Sequence, residues 1–179
     1  MTNSNRNLIL LVFLATLVHL NLNNGYVVAE EVDVEEYNLA DMELERFLSD
    51  LGFSESSNKY NIVNQYGYLG RYQFSPRTLR GLGFEISKKE FLNNPDVQDE
   101  AMMCYLQHNK KVLQSYIDKW DGKIKDGVKI TESGILAAAH LTGATSVKRF
   151  FKYGINREDA YGTSIVDYME RFSGYKIEI

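Results

Sequence analysis

The sequence predicts a mainly α fold built around one long central helix. Three observations carry this expectation. Apolar residues recur every three or four positions from Met42 to Phe172. No stretch shows the strict alternation or β-branched density of a core strand. Glycines and Asn-Pro or Ser-Pro pairs punctuate the chain where helices would start and stop. At most a small β-hairpin is expected, near residues 66–73.

The N-terminus reads as a targeting segment rather than as part of the fold. Arg6 is the only charge before Glu30, and Leu8 to Leu20 is almost wholly apolar. That apolar run of about 13 residues is shorter than the roughly 20 a membrane span needs. With small residues at Val27-Val28-Ala29, residues 1–29 are expected to be a secretory signal peptide cut after Ala29. The mature protein would then be secreted or periplasmic, an uncleaved membrane anchor being the alternative.

Residues 30–40 read as an acidic leader or linker and residues 41–179 as one domain. From Glu30 to Arg46 there are eight acids and one base, whereas from Phe47 onward 16 acids meet 18 bases. The net charge of −4 therefore hides a weakly basic domain behind a solvated tail. The domain lacks the dense basic patch that nucleic acid requires, so no nucleic-acid partner is expected. It is expected to be a monomer. Cys104 is the only cysteine, which excludes an intramolecular disulfide; a buried small hydrophobe is its expected role.

The helices follow in order. Met42, Leu44, Phe47, Leu48 and Leu51 form one stripe opening after Ala40-Asp41, with Glu55 in or just past the last turn. Residues 56–74, with two glycines and three asparagines, read as an irregular loop. Ser75-Pro76 opens a short helix that Gly81 and Gly83 end. Asn94-Pro95 opens the longest one, with Val97, Ala101, Cys104, Tyr105, His108, Val112, Tyr116 and Trp120 on its apolar stripe and Gly122 at its close. At about 25 residues it would run some 38 Å and form the central element. Thr131 caps a helix over Glu132–Leu141, Gly143 breaks it, and a further helix runs from about Ala144 to Phe151. Thr163 or Ser164 opens the last helix, which runs through Phe172.

Glu55-Ser56-Ser57 places one carboxylate just ahead of Gly67-Tyr68-Leu69-Gly70-Arg71-Tyr72-Gln73-Phe74. An acid beside aromatic rings and amides suits cleavage of a glycosidic bond, since a general acid must be held in a partly apolar pocket. Glycosidases usually pair two carboxylates, yet no Asp or Glu lies between Ser56 and Phe84. One reaction needs no partner: if the sugar's own 6-hydroxyl attacks the anomeric carbon, intramolecularity replaces the second group. Asp159 and Asp167 read as surface or capping residues, with a distant second carboxylate as the other possibility. His19, His108 and His140 share no ligand spacing, so no metal is expected, and no cofactor.

The chain resembles the lysozyme-like superfamily, and within it the lytic transglycosylases that cut peptidoglycan. Glu55-Ser56 matches that family's Glu-Ser, and Gly70-Arg71-Tyr72-Gln73 stands in place of Gly-Leu-Met-Gln. Ala138-Ala139-His140-Leu141-Thr142-Gly143 stands in place of Ala-Ala-Tyr-Asn-Ala-Gly, and Tyr168 falls where a late groove tyrosine belongs. Further likeness to a phage and bacterial subgroup lies in Gly67–Phe74, Phe91–Asp99 and Tyr161–Tyr175. The resemblance covers roughly residues 42–175. It implies a lysozyme-like fold and cleavage of the β-1,4 bond between N-acetylmuramic acid and N-acetylglucosamine, giving 1,6-anhydro products. Glu55 would be the single acid and base, with Ser56, Tyr72, Gln73, His140 and Tyr168 binding the glycan. The departures at Arg71-Tyr72 and His140-Leu141 bear on substrate preference. A lysozyme- or chitinase-type hydrolase and an inactive glycan-binding domain are the alternatives.

Overall fold

The structure, a computed structural model, describes residues 34–179 except Ala160, together with two short strands, β1 (Leu22–Asn23) and β2 (Tyr26–Val27); side chains are described from Leu39 onward. The expected signal peptide and its expected cut site otherwise lie outside the described residues. The chain divides into two units, Met1–Asn38 and Leu39–Ile179. In the first, β1 and β2 pair antiparallel, Leu22 opposite Val27 and Asn23 opposite Tyr26.

The described chain is mainly α, as expected. Its helices are α1 (Val34–Ser56), α2 (Pro76–Gly81), α3 (Lys88–Leu92), α4 (Pro95–Trp120), α5 (Glu132–Thr142), α6 (Ala144–Tyr153) and α7 (Ile165–Arg171). Among the described residues, no helix is long and apolar enough to cross a membrane. Helix α1 begins at Val34, inside the segment expected to be a solvated leader. Of its expected stripe, Phe47 and Leu51 are fully buried and Met42 is exposed.

The central helix is α5, not α4. Ser133 through Ala139 are all fully buried, so α5 has no solvent face over this stretch. It packs against α4, α6 and α7. Its small side chains are what allow this. A Cβ built on Gly134 would fall 2.6 Å from the backbone oxygen of Met169, so α5 and α7 approach to a distance only glycine permits. Length misleads about α4, which is amphipathic: Gln98, Ala101, Met102, Leu106, Asn109, Leu113 and Ile117 are buried while its other side faces water. The buried stripe lies beside the expected one. His108 is exposed and Cys104 only half-buried, so neither sits in the core as expected.

Caps act where the sequence places them. Ser75 accepts from the Thr78 N–H, Asn94 from Val97, Thr131 from Gly134 and Ser164 from Asp167. Helix α3 was not expected, although Ser87 and Glu90 form a capping box, Phe91 is fully buried in the core and Leu92 packs against it. The expected hairpin near 66–73 is reduced to isolated bridges, Val63 to Leu69 and Leu69 to Phe74. A true two-stranded hairpin instead joins β3 (Ile124–Lys125) to β4 (Val128–Lys129). Its turn, Asp126-Gly127, has positive φ at both positions, the conformation that suits a two-residue hairpin loop.

Candidate active site

Glu55 lies in the last turn of α1, and Phe47 anchors that helix by edge-on contacts to Phe172 and Tyr175. Beyond α1 the chain reverses through Ser57 and Asn58, both at positive φ. Ser56 locks this reversal: its hydroxyl donates to the Arg71 carbonyl at 2.8 Å and accepts from the Lys59 N–H at 3.0 Å. Ser56, expected to bind substrate, thus ties the helix end to the loop instead.

The loop is held from beneath by α4. Gln98, fully buried, accepts from the Arg71 N–H at 2.8 Å and donates to the carbonyls of Tyr60 and Phe91 at 3.0 and 2.8 Å. Asp99 collects three donors, the hydroxyls of Tyr60 and Tyr72 at 2.9 and 2.8 Å and the Arg71 guanidinium at 3.1 Å. That guanidinium also sits over the Tyr72 and Tyr60 rings, 5.0 and 5.3 Å from their centroids. Tyr72 is therefore fully buried and turned toward Asp99, not along the groove as expected. Burial, and then the bond to Asp99, push its hydroxyl far above the usual phenol range. What Tyr72 presents to the site is its backbone carbonyl.

That carbonyl meets His140. Nε2 of His140 lies 2.9 Å from the Tyr72 oxygen and 3.8 Å from Oε1 of Glu55. A carbonyl can only accept, so Nε2 carries the hydrogen. The other nitrogen, Nδ1, is buried without a partner among the described residues. The ring is packed edge-on against Phe74 and Tyr105, centroids 5.7 Å away in both cases. Burial lowers its pKa below the usual imidazole value, against the opposing pull of Glu55 and the Tyr72 carbonyl. Neutral His140, protonated at Nε2, is the form this environment selects.

Tyr168 completes the set. Its ring, on α7, is almost fully buried, and its hydroxyl donates to Oε1 of Glu55 at 2.8 Å. Burial and the neighbouring carboxylate raise its pKa far above the phenol range, so it remains a donor. The same hydroxyl lies 3.3 Å from Ser54 Oγ, which Arg171 engages at 3.0 Å. Both Tyr168 and His140 thus approach Oε1, and Oε2 has no protein partner among the described residues. The Glu55 side chain is only 17 % exposed.

These groups sit at a cleft of about 480 Å³. Of the residues expected to form the site, Glu55, Gln73 and His140 line it. Tyr168 reaches it only through Glu55. Gln73 adopts φ 52°, rare for a residue with a side chain, and its amide nitrogen donates to the Gly70 carbonyl at 2.7 Å. The remaining lining includes Tyr66, Tyr68, Tyr105, Arg157, Glu158, Asp159 and Tyr161. Arg157, Glu158 and Tyr161 are not among the expected site residues, although Tyr161 opens one of the segments that carry the family likeness. Asp159 does act as a cap, its Oδ1 accepting from the N–H groups of Tyr161 and Thr163 at 2.8 Å each, and Asp167 caps α7. Among the described residues, no group of three His, Cys, Asp or Glu side chains converges in a metal-holding arrangement.

No family model matches this chain, and comparison with curated proteins and with solved structures finds no match.

Proposed function

We propose that this protein is an exported lytic transglycosylase of lysozyme-like fold that cleaves the β-1,4 bond between N-acetylmuramic acid and N-acetylglucosamine in peptidoglycan. The observation that carries the proposal is the one-sided support of Glu55: Tyr168 and His140 both approach Oε1, and Oε2 is left for a ligand in the cleft. The resemblance of the Glu55-Ser56, Gly70–Gln73 and Ala138–Gly143 segments adds to it.

In the proposed reaction the protonated Glu55 carboxyl gives its proton to the glycosidic oxygen as the bond to the anomeric carbon breaks. The 6-hydroxyl of the same sugar then attacks that carbon and returns its proton to the Glu55 carboxylate. The product is a 1,6-anhydro sugar, and Glu55 ends as it began. The Tyr168 hydroxyl, 2.8 Å from Oε1, stabilises the carboxylate in the interval, while His140, whose Nε2–H is given to the Tyr72 carbonyl, packs beside it. Ring closure within one sugar needs no water placed by a second acid.

A glycoside hydrolase of lysozyme or chitinase type is the second reading. It draws on Glu158 and Asp159, which line the same cleft as Glu55 and offer a carboxylate to orient water. Mass spectrometry of digested peptidoglycan separates the two. Anhydro ends are expected; reducing ends that have gained water would replace the first reading with the second. Glu55→Gln is expected to abolish cleavage in either case. An inactive glycan-binding domain is what would remain if the native chain cuts no glycan but still binds it.

A further inference from the structure

Two of the tyrosines that line the cleft touch each other, a contact that the chemistry at Glu55 does not use. Tyr66 and Tyr161 come from separate loops and both line the cleft. Their rings meet edge to face, centroids 6.3 Å apart with an interplanar angle of 67°. The Gln65 side-chain amide reaches the Tyr161 hydroxyl at 3.4 Å, a second link between segments 96 residues apart. Each tyrosine is set by its own loop. The Asn64 side chain accepts from the Tyr66 N–H at 2.9 Å, and Asp159 accepts from the Tyr161 N–H at 2.8 Å. Yet the rings remain 57 % and 70 % exposed, so the contact is a bar one ring thick with water outside it rather than a packed wall.

A linear polymer lying along this cleft must pass beneath that bar or stop at it. In either case a free strand end enters more readily than the interior of a strand, which carries chain on both sides. From this contact we infer that Tyr66 and Tyr161 form a latch that directs the enzyme to glycan strand ends. This specificity rests on the glycan-cleaving reading of Glu55. It makes the two tyrosines determinants of where a strand is cut, not whether it is cut.

The test is the length distribution of peptide-free glycan strands after partial digestion by the full chain. The native protein is expected to release small products from the outset while the bulk strands keep their length. Tyr161→Ala and Tyr66→Ala each remove half of the contact and should give intermediate lengths, with bulk length falling several-fold at the same fraction of bonds cut. Tyr161→Phe keeps the ring and should keep the native pattern. The latch is overturned, with the glycan reading intact, if the native protein yields intermediate lengths from the start. It is equally overturned if both alanine variants bind strands more weakly but cut them in the native pattern. A native chain that cuts no strand removes the latch and the proposed reaction together.

Discussion

The Tyr168 hydroxyl donates to Oε1 of Glu55 at 2.8 Å, joining the first and last helices of the described chain at one carboxylate oxygen. Tyr168→Phe keeps the ring in its pocket and deletes only this donor. A hydrogen bond to a charged group contributes about 1.5–3 kcal/mol, so kcat/KM on peptidoglycan is expected to fall about tenfold or more. Native turnover in this variant would show that Tyr168 does not support Glu55.

His140 gives an acid-dependent stability. Its folded pKa is depressed by burial, so the folded state resists a proton that the unfolded chain accepts at about pH 6.5. The contribution is present above that pH and is lost as pH falls below it. Glu55, the charged group beside the ring, works in the opposite sense and only partly offsets burial. Thermal midpoints at pH 7 and pH 5 should therefore diverge more in the native protein than in His140→Gln, whose amide can still donate to the Tyr72 carbonyl but does not titrate. Equal slopes in the two proteins would rule His140 out as the source.

Gly134 and Gly81 make a matched pair. A Cβ at Gly134 would meet the Met169 backbone at 2.6 Å, whereas one at Gly81 would meet nothing within 4 Å. Gly134→Ala is expected to cost about 1–3 kcal/mol by forcing α5 and α7 apart. Gly81→Ala, at a helical position without positive φ, should be neutral or stabilising by up to about 1 kcal/mol. Urea midpoints in the reverse order would contradict the α5–α7 approach described here.

Gln98 is the buried tie between α4 and the loop that carries Gln73. Gln98→Ala leaves the Arg71 N–H and the Tyr60 and Phe91 carbonyls without their partner. The expected loss is about 3 kcal/mol, since buried groups left unpaired cost about 1–3 kcal/mol each and water entering the gap recovers part of it. The space is also filled from the other side. A Cβ on Gly70 would fall 2.0 Å from Oε1 of Gln98 at φ 72°, so Gly70→Ala should be destabilising as well. Hydrogen exchange over residues 58–74 reads both variants; unchanged protection there would remove Gln98 as the loop's support.

Much of this was legible because it is local. Caps at Ser75, Asn94, Thr131 and Ser164 are satisfied within three residues, so their signal is contained in the segments they start. Two further signals are just as local: Ser87 with Glu90 for α3, and Asp126-Gly127 for the β3–β4 turn. The reading of α4 as the central helix failed for a different reason. Length is a property of the segment, but centrality depends on what surrounds it, and α5 earns that place through small residues that let neighbours close in.

The site divides in the same way. The sequence by itself determined that one carboxylate, Glu55, ends a helix ahead of an aromatic loop that itself holds no acid. It could not assign direction to the side chains around it. Tyr72 and Gln73 are neighbours, yet one is buried against Asp99 and the other lines the cleft. Only the tertiary structure decided that Tyr168, 113 residues from Glu55, would touch it, and that residues 157–161 would bring new groups to the cleft. The physical reason is that hydrogen bonding and periodicity act over one helical turn, whereas the burial that orients a side chain depends on segments distant in sequence.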